Sequence, residues 1–401
     1  MKVLVVHNRY VSALPSGENA AVEAELANLR EAGVQVVTYL RASDEIATMG
    51  TLEKAQVPFA AIYAASAVRD ITALIDQQRP HVLHLHNPFP LISLSVIRAA
   101  HRRGVPVVQT VHNHRHTCLQ GSHLRDQRPC FDCRGKALPW PAVMHGCYRD
   151  SRLQSVPMAL ALATHRSDQR RVDRYIALSA DVAESLERSG LTRPGQVVVR
   201  PNSVPDPGPA SPPREGFLFV GRLTVEKGIP LLLDAWRMAG QPSGRLRIAG
   251  DGPERPAVEQ AAATLGSTVE FLGPLDRSAV DSAIRASAVV VVPSIAAEAH
   301  PLIVLEALSH GRPVLASARG GLPSLIDSSV GWLVEPSLDE LAAGLRAAAA
   351  ADIRPLGAAA RKRFRMMYAP AVVTARQIEI YEQVLIEATS CNGKSDLRRL
   401  R

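Results

Sequence analysis

Aromatic side chains are scarce in this sequence, at 4% of 401 residues, and long apolar runs are absent. Phe, Tyr and Trp provide the surfaces on which single-stranded nucleic acids stack, and no recognition motif accompanies the basic runs, so no nucleic-acid partner is expected. The longer apolar runs, such as residues 288–293, have the length of buried strands. They fall far short of the roughly 18 residues that a membrane-spanning helix needs, so no such helix is predicted.

Cysteines are also few, with five in the chain. The apolar stretch Lys2–Val6 is interrupted at once by His7, Asn8 and Arg9, which makes it too short for the core of a signal peptide. The stretch is typical of a first buried strand. We therefore expect a cytoplasmic protein, in which cysteines are free or metal-bound rather than paired in disulfides.

Basic residues, in contrast, are plentiful. The 46 Lys and Arg residues exceed the 38 Asp and Glu residues by eight, which gives a net charge of +8 and a pI near 9.5. A basic surface favours anionic partners such as nucleotides and acidic lipid headgroups. Runs of basic residues occur at 165–171 and 361–365, and each run by itself is also typical of a solvated helix face.

Short β-branched runs alternate with amphipathic helical patterns along most of the chain. The predicted strands are Lys2–Val6, Gln35–Leu40, His81–Leu85, Pro106–Val111, Arg174–Leu178, Gly216–Val220, Arg245–Ala249, Thr268–Leu272, Ala288–Val292 and Pro313–Ser317. Apolar strands joined by helical crossovers predict parallel sheets in an α/β fold.

The alternation breaks once, in the proline-rich segment Pro201–Pro213, which predicts an interdomain linker. We expect an N-terminal Rossmann-like domain over 1–198 and a second one over 199–368, facing each other across a cleft where ligands bind beyond the strand ends. Helical spacing of apolar residues predicts a final helix over 369–389 that packs across the domains and returns to the first. Residues 390–401 are expected to form a disordered tail.

The most specific motif follows the predicted strand Ala288–Val292. Glu298 and Glu306 are eight positions apart, and Glu306 falls in an apolar helical run that begins after Pro301. The unpaired backbone N–H groups near Leu302 and Ile303, in the first turn of that helix, would suit a phosphate. Glu306 could accept hydrogen bonds from ribose hydroxyls and Glu298 from a sugar. Two unrelated glutamates would be the simpler interpretation if nothing else supported the pair.

A second motif, Gly221–Gly228, follows the predicted strand Gly216–Val220 and contains Arg222 and Lys227. Arg offers a planar fork of donors and Lys a point charge, so together they can flank a diphosphate. Gly250 stands in a further glycine turn at a strand end, where a backbone can approach a ligand closely.

In this order and spacing, the segments resemble the family-4 retaining glycosyltransferases of the GT-B fold, and the resemblance covers most of the chain. The resemblance implies that Glu298 contacts the donor sugar, that Glu306 contacts the nucleotide ribose, and that Arg222 and Lys227 hold the donor diphosphate. Ser16-Gly17-Glu18 matches the family's N-terminal glycine loop, and Thr110-Val111-His112-Asn113 matches its T-x-H-D motif. Gly17 is then a donor-binding residue, and His112 lies near the transferred sugar.

The expected function is transfer of a sugar, with retention, from a UDP- or GDP-sugar to an unidentified acceptor. The acceptor is expected to be a cell-envelope polysaccharide, a glycolipid or a natural product. No metal is required if Arg222, Lys227 and the helix N-terminus neutralise the leaving diphosphate, and the chain contains no Asp-x-Asp metal motif. The alternatives are a GT-B epimerase or phosphorylase, and a sugar-nucleotide-binding protein without turnover.

Four cysteines lie in an insertion over 113–150 that follows the fourth predicted strand: Cys118, Cys130, Cys133 and Cys147. A Cys-x2-Cys pair with two flanking thiols fits a structural four-thiolate zinc site. Four ordinary thiols or one or two disulfides would give the same composition.

The segment from Arg152 to Arg174 begins apolar and ends strongly basic. A basic amphipathic helix of this kind can contact an anionic membrane from the cytoplasmic side. Packing of its apolar face on the domain core is the competing interpretation.

Overall fold

The computed structural model describes residues 1–13, 16–209 and 215–399, with the backbone alone for 391–399. The chain divides into two compact units: unit 1 comprises 1–122, 131–201 and 371–401, and unit 2 comprises 123–130 and 202–370. The change from one unit to the other therefore falls at 201/202, three residues after the predicted boundary. Residues 210–213 of the predicted linker lie outside the described residues.

The bounds of the strands follow the predicted apolar runs to within a few residues. In the described part of the chain the strands are β1 (Lys2–Arg9), β2 (Gln35–Ala42), β3 (Val82–Leu85), β4 (Val107–Val111), β5 (Leu124–Arg125), β6 (Arg128–Pro129), β7 (Arg174–Ala177), β8 (Val197–Val199), β9 (Phe217–Val220), β10 (Leu246–Ala249), β11 (Val269–Gly273), β12 (Val289–Val292), β13 (Val314–Ser317) and β14 (Gly331–Val334).

Helices connect most of these strands. Over the same residues they are α1 (Gly17–Glu31), α2 (Glu45–Thr48), α3 (Thr51–Ala60), α4 (Ala65–Gln78), α5 (Ser95–His101), α6 (Trp140–Met144), α7 (Arg152–Thr164), α8 (Arg166–Gln169), α9 (Ala180–Glu187), α10 (Ile229–Met238), α11 (Arg255–Leu265), α12 (Arg277–Arg285), α13 (Leu302–Ser309), α14 (Leu322–Leu325), α15 (Leu338–Ala350), α16 (Ile353–Arg363) and α17 (Pro370–Arg399).

Each unit is built on a six-stranded parallel sheet. The strand order is β2-β1-β3-β4-β7-β8 in unit 1 and β11-β10-β9-β12-β13-β14 in unit 2. Both are doubly wound α/β arrangements, in which the strand order reverses beside the first strand. The predicted pair of Rossmann-like sheets is confirmed. A short antiparallel hairpin of β5 and β6 lies apart from both sheets.

The valines of β12 explain why the sheet of unit 2 is buried on both faces. Val289 and Val291 pack into one hydrophobic cluster with Trp236, whereas Val290 and Val292 pack into the cluster on the other face. Side chains alternate along a strand, so an unbroken apolar run serves both faces when helices cover each of them.

The C-terminal helix α17 completes the core of unit 1. Its residues Ile380, Tyr381 and Val384 are buried against Val3 and Val5 of β1. The predicted return of this helix to the first domain is therefore observed.

The helix α17 continues to Arg399, past residue 390 where a disordered tail is expected, and the disorder of that tail stays a prediction. Extending an existing helix adds one backbone hydrogen bond for each residue fixed, so the chain continues the helix without a new nucleation step. Residues 400 and 401 of the expected tail lie outside the described residues.

Among the described helices, none has by itself both the length and the apolar character to cross a membrane. The helices α3 and α4, which meet at a bend of 70°, reach that threshold only when they are taken as a pair.

Candidate active site

The loops that follow β9 and β12 meet at the point where the strand order of unit 2 reverses. In doubly wound sheets this switch point is where ligands bind, beyond the carboxyl ends of the strands. The loop after β9 contains Arg222 and Lys227, and the loop after β12 contains Ser294 and Glu298. Two motifs that are far apart in the sequence are thus adjacent in the fold.

An ion pair joins these two loops. The Nζ atom of Lys227 lies 2.6 Å from Oε1 of Glu298, and the hydroxyl of Ser294 donates to the same carboxylate oxygen at 2.6 Å. Burial by itself would raise the pKa of Glu298, but the charge and hydrogen bond of Lys227, with help from Ser294 and Arg222, hold that pKa below its usual range. Glu298 is therefore an ionised acceptor beside two cations.

Two glycines allow the loops of unit 2 to approach each other closely. Gly228 has φ +79°, and a Cβ there would overlap the carbonyl oxygen of Pro293 in the loop after β12. Gly250 has φ +139°, and a Cβ there would overlap the carbonyl oxygen of Gly221 in the loop after β9. Backbone bonds strengthen the same junction, since the amide of Ile295 donates to Glu226 O at 3.0 Å. The structure thus gives Gly250 a packing reason to be glycine.

The helix α13 begins directly after the loop that contains Glu298. Pro301 is its N-cap residue and supplies no side-chain hydrogen bond, so the first amides, including those of Leu302 and Ile303, have no cap to accept from them. Glu306 lies one turn further along. Burial raises the pKa of Glu306, and the nearby charge of Arg277 acts in the opposite direction.

A second cluster of polar residues lies in unit 1 and surrounds His112, which directly follows β4. A cavity of about 40 Å³ is lined by His112 and residues that include Glu18, His86, Asn113 and Arg115. Its walls come from β4, the loops after β3 and β4 and the first turn of α1, with Leu162 of α7 and Gln169 of α8. In this sheet the order reverses between β1 and β3, so this cavity also stands at a switch point.

The ring of His112 is tied to a second histidine. Its Nε2 atom lies 2.9 Å from Nδ1 of His86, and the two rings stack with centroids 5.2 Å apart. Burial and the neighbouring His84 lower the pKa of His86 to about 4, and burial together with His86 lowers the pKa of His112 well below its usual range. Both imidazoles are therefore neutral at pH 7.

Behind these rings, Glu25 of α1 is the acidic member of a buried network. Its Oε1 atom lies 3.1 Å from Nδ1 of His84 and 3.4 Å from Nε2 of His86, while its Oε2 atom accepts from the guanidinium of Arg200. Although burial acts to raise the pKa of Glu25, Arg200 and the two histidines hold it well below its usual range.

Glu25, His84 and His86 also form a group of convergent metal-ligand atoms in the described part of the chain. Arg200 already neutralises the carboxylate and is itself buried, so a cation placed here would face a fixed positive charge. The arrangement fits a carboxylate–imidazole network better than a metal centre.

Glu18 is a residue of the cavity to which sequence reasoning assigned no role beyond the glycine loop. Its Oε2 atom accepts from the hydroxyl of Tyr10 at 3.3 Å and from the amide of Asn113 at 3.4 Å. Burial raises its pKa to about 7, against the opposing charge of Arg115. The only sequence signal was its position beside Gly17, because the partners are contributed by distant loops.

The remaining predicted residues are Gly17 and the four cysteines of the insertion, and none of them lines the cavity beside His112. Gly17 is the first residue of α1, and a Cβ there would meet no atom within 4 Å. The four cysteines of the insertion are half-buried, and none of them belongs to the convergent ligand group found among the described residues. Cys130 falls in unit 2, whereas the other three fall in unit 1. The zinc site therefore stays a prediction from spacing.

Comparisons with known proteins agree with both halves of this architecture. Residues 16–203 match a family model described as "Glycosyl transferase 4-like domain", and residues 214–350 match one described as "Glycosyl transferases group 1". The 2-deoxystreptamine N-acetyl-D-glucosaminyltransferase of Streptomyces fradiae is 33% identical over 221 residues, which cover 49% of this chain and 51% of that protein.

A second relative, the D-inositol 3-phosphate glycosyltransferase of Frankia alni, is 29% identical over 276 residues, which cover 64% of this chain and 62% of that protein. Among solved structures, Anabaena HepE in complex with UDP-glucose superposes with a TM-score of 0.64 at 17% identity, over 96% of this chain and all of that one. The matches span 34 to 49% of the length of the first three curated relatives. Taken together, the two matched family models and the two doubly wound sheets establish that this chain belongs to the family-4 glycosyltransferases and has the GT-B fold.

Proposed function

We propose that this chain transfers a sugar, with retention of anomeric configuration, from a nucleotide-diphosphate sugar to a hydroxyl-bearing acceptor. The observation that carries the proposal is the Lys227–Glu298 pair, which stands with Arg222 at the switch point of unit 2. An ionised acceptor beside two cations is the set of charges needed to hold a sugar by its hydroxyls and a diphosphate by its oxygens.

In the proposed reaction, the bond between the anomeric carbon and the diphosphate oxygen breaks, and its electron pair goes to that oxygen. Arg222, Lys227 and the first amides of α13 stabilise the growing negative charge. The acceptor oxygen bonds to the anomeric carbon on the same face, and its proton passes to the departing phosphate. These groups supply the electrostatic stabilisation, so the proposal requires no metal at the donor.

Unit 2 is assigned the donor in this proposal. Glu298 accepts from hydroxyls of the sugar, and Glu306, which is half-buried one turn into α13, accepts from the ribose. UDP is the first nucleotide to test, because HepE was solved in complex with UDP-glucose. GDP- and ADP-sugars are the other donors to test.

Unit 1 is assigned the acceptor, beside His112 and the cavity that it lines. The Streptomyces fradiae relative is named for the aminocyclitol 2-deoxystreptamine, and the Frankia alni relative for the cyclitol phosphate D-inositol 3-phosphate. Cyclitols are therefore the first acceptors to test, followed by glycolipid and polysaccharide fragments.

The test is a donor screen by mass spectrometry. Purified protein is incubated with each nucleotide sugar, with and without 2-deoxystreptamine or D-inositol 3-phosphate, and both the released nucleotide and the glycosylated product are measured. We expect one donor to be consumed and the Lys227→Met variant to lose at least 100-fold in kcat/KM. Lys362→Met is the matched control, since Lys362 is exposed on α16.

The outcomes separate the alternatives. Isomerised donor would identify an epimerase, and sugar 1-phosphate formed from an oligosaccharide and phosphate would identify a phosphorylase. Thermal protection by a nucleotide sugar that is never consumed would identify a binding protein. If no donor gives either thermal protection or turnover, the proposal is contradicted. The anomeric configuration of a product, read by NMR, decides whether transfer is retaining.

We also propose that the protein works in the cytoplasm with unit 1 in contact with an anionic membrane. The helix α7 exposes three apolar side chains: Leu153 at 83%, Val156 at 40% and Leu160 at 42%. Two cations follow, Arg166 as the first residue of α8 and Arg170 as its C-cap residue. Exposed apolar side chains next to cations are the features of an interfacial helix.

Flotation with vesicles tests this membrane contact. We expect binding to phosphatidylglycerol vesicles, weaker binding to phosphatidylcholine vesicles, and loss of binding in Leu153→Glu. Equal recovery of the variant and the parent protein with the anionic vesicles would contradict the membrane proposal and leave the transferase proposal untouched.

A further inference from the structure

A row of three polar groups in unit 1, of which His86 is buried and Glu25 and His112 are half-buried, leads from α1 to the cavity. We call it the Glu25–His86–His112 row. Glu25 lies 3.4 Å from Nε2 of His86, and Nδ1 of His86 lies 2.9 Å from Nε2 of His112. Oε1 of Glu25 and Nε2 of His86 are buried, and neither atom forms a hydrogen bond of standard geometry in the described part of the chain. Nδ1 of His84 lies closer to the same carboxylate oxygen, at 3.1 Å.

The chemistry of these groups fixes where the protons are. An ionised carboxylate only accepts hydrogen bonds, and Glu25 is the acceptor nearest to Nε2 of His86, so we infer that this nitrogen carries the ring proton. A neutral imidazole has one donor and one acceptor nitrogen, so Nδ1 of His86 is an acceptor. The nitrogen of His112 that meets it, Nε2, must then be a donor.

The same rule leaves the other nitrogen of His112 unprotonated. Nδ1 of His112 has no protein hydrogen-bond partner among the residues that the structure describes, and the ring lines the cavity. An unprotonated imidazole nitrogen accepts a hydrogen bond and gives none. A hydroxyl group is the sugar substituent that can supply that bond.

We propose that Glu25 and His86 are positioning residues that hold His112 as its Nε2–H tautomer, so that Nδ1 accepts a hydrogen bond from a sugar hydroxyl. The identity of the hydroxyl rests on the proposed function, whereas the tautomer does not.

The groups packed around the row maintain this state. The ring of His7 stands edge-on to His86 with centroids 6.0 Å apart, and burial lowers the pKa of His7 to about 3, so it adds no charge at neutral pH. Arg200 pairs with Glu25 and keeps it ionised. His84 is the other ring beside Glu25. Its Nε2 atom is hydrogen-bonded to the hydroxyl of Thr110 at 2.8 Å, and its Nδ1 atom to the hydroxyl of Tyr381 at 2.7 Å.

The decisive measurement needs neither donor nor acceptor. In ¹⁵N-histidine-labelled wild-type protein at pH 7, long-range ¹H–¹⁵N correlation spectra report which imidazole nitrogen carries the proton. The His112 signals are identified by their disappearance in His112→Asn. We expect one tautomer, protonated at Nε2 and bare at Nδ1. A bare Nε2, or a doubly protonated ring, would overturn the proposal.

Variants test whether the row causes the preference. His86→Phe keeps an aromatic ring but removes the acceptor nitrogen, so we expect signals of both His112 tautomers. His84→Phe is the comparison variant, because it removes an equally buried ring of β3 that contacts Glu25 and His86 but not His112, and we expect the single tautomer to persist. A single Nε2–H tautomer in His86→Phe would show that the row does not set it.

Activity provides a separate readout once a donor is known. Equal populations of the two tautomers would leave half of the molecules competent, so kcat/KM of His86→Phe should fall at least twofold relative to His84→Phe. If the protein transfers no sugar but His112 is the Nε2–H tautomer, the proposed function is contradicted and the tautomer assignment stands. If the protein is an active transferase but His112 has the opposite tautomer, the tautomer assignment is contradicted and the proposed function stands.

Discussion

Replacing Lys227 with methionine tests the central contact of unit 2. Its ammonium lies 2.6 Å from Glu298, and the two side chains are 29% and 14% exposed. Without Lys227, the buried carboxylate keeps Ser294 as its hydrogen-bond donor but loses its counter-ion. Exposed ion pairs contribute at most about 1 kcal/mol, whereas breaking a fully buried pair costs about 3–5 kcal/mol. From this intermediate exposure we expect Lys227→Met to cost about 2 kcal/mol.

The cost should depend on pH, and its sign follows from the pKa of Glu298. In the wild type this pKa is lowered, so the carboxylate's contribution to stability is present above the unfolded value near 4.5 and is lost as the pH falls through the folded value. In Lys227→Met, burial is left to raise the pKa instead. The difference in unfolding free energy between the two proteins should therefore shrink as the pH falls, first through the raised pKa of the variant and then through the lowered pKa of the wild type.

A double-mutant cycle isolates the pair. Glu298→Gln keeps an acceptor for Ser294 and removes the charge, so the double variant should cost about 1 kcal/mol less than the sum of the two single variants. Urea unfolding is followed by fluorescence in a Trp140→Phe background, because the two remaining tryptophans, Trp236 and Trp332, both lie in unit 2. A cycle with no coupling, or stability of Lys227→Met equal to that of Lys362→Met, would refute the reasoning.

Three further predictions concern other parts of the chain. Gly228→Ala should destabilise unit 2 by about 3 kcal/mol because its Cβ meets Pro293, whereas Gly240→Ala, at a similar φ of +76° but in open space, should cost about 1 kcal/mol; equal melting temperatures would contradict the steric argument. Glu18 has a folded pKa of about 7 against a usual 4.5, so its contribution to stability is full below pH 4.5 and is lost as the pH rises through 7. Relative to Glu18→Gln, the wild type should lose about 3 kcal/mol of unfolding free energy between pH 4.5 and 8, and parallel pH profiles would count against this. Elemental analysis of freshly purified protein should find one zinc per chain if the cysteine spacing marks a metal site, and substoichiometric zinc would contradict that prediction.

The sequence was sufficient to predict ten strands and both sheets, because parallel strands buried on both faces are uninterrupted apolar runs. Four strands in the described part of the chain were not predicted: the hairpin strands β5 and β6, and one edge strand of each sheet. The strand β8 is three valines long and adjoins Arg200, and β14 begins at Gly331, which has little strand preference of its own. Such short edge segments become strands because a neighbouring strand offers them hydrogen bonds, and that neighbour is known only from the fold.

The site was predictable where its residues belong to contiguous motifs. Arg222 and Lys227 share one loop, and Glu298 stands in the next motif along. The row behind His112 was not predictable, since Glu25, His86 and Arg200 come from three segments more than 50 residues apart. An isolated glutamate on a helix carries no pattern, and its partners are fixed only when the sheet of unit 1 forms.

The position of α17 has a consequence for how the protein is made. Synthesis proceeds from the N-terminus, and domains of many proteins fold in that order as they emerge. Here Ile380, Tyr381 and Val384 of α17 belong to the core around β1, so the sheet of unit 1 is completed only by a helix that follows unit 2 in the chain. Unit 2, continuous over 202–370, has all of that stretch available earlier. During synthesis, unit 2 should therefore become compact while unit 1 still exposes the apolar face that α17 later covers.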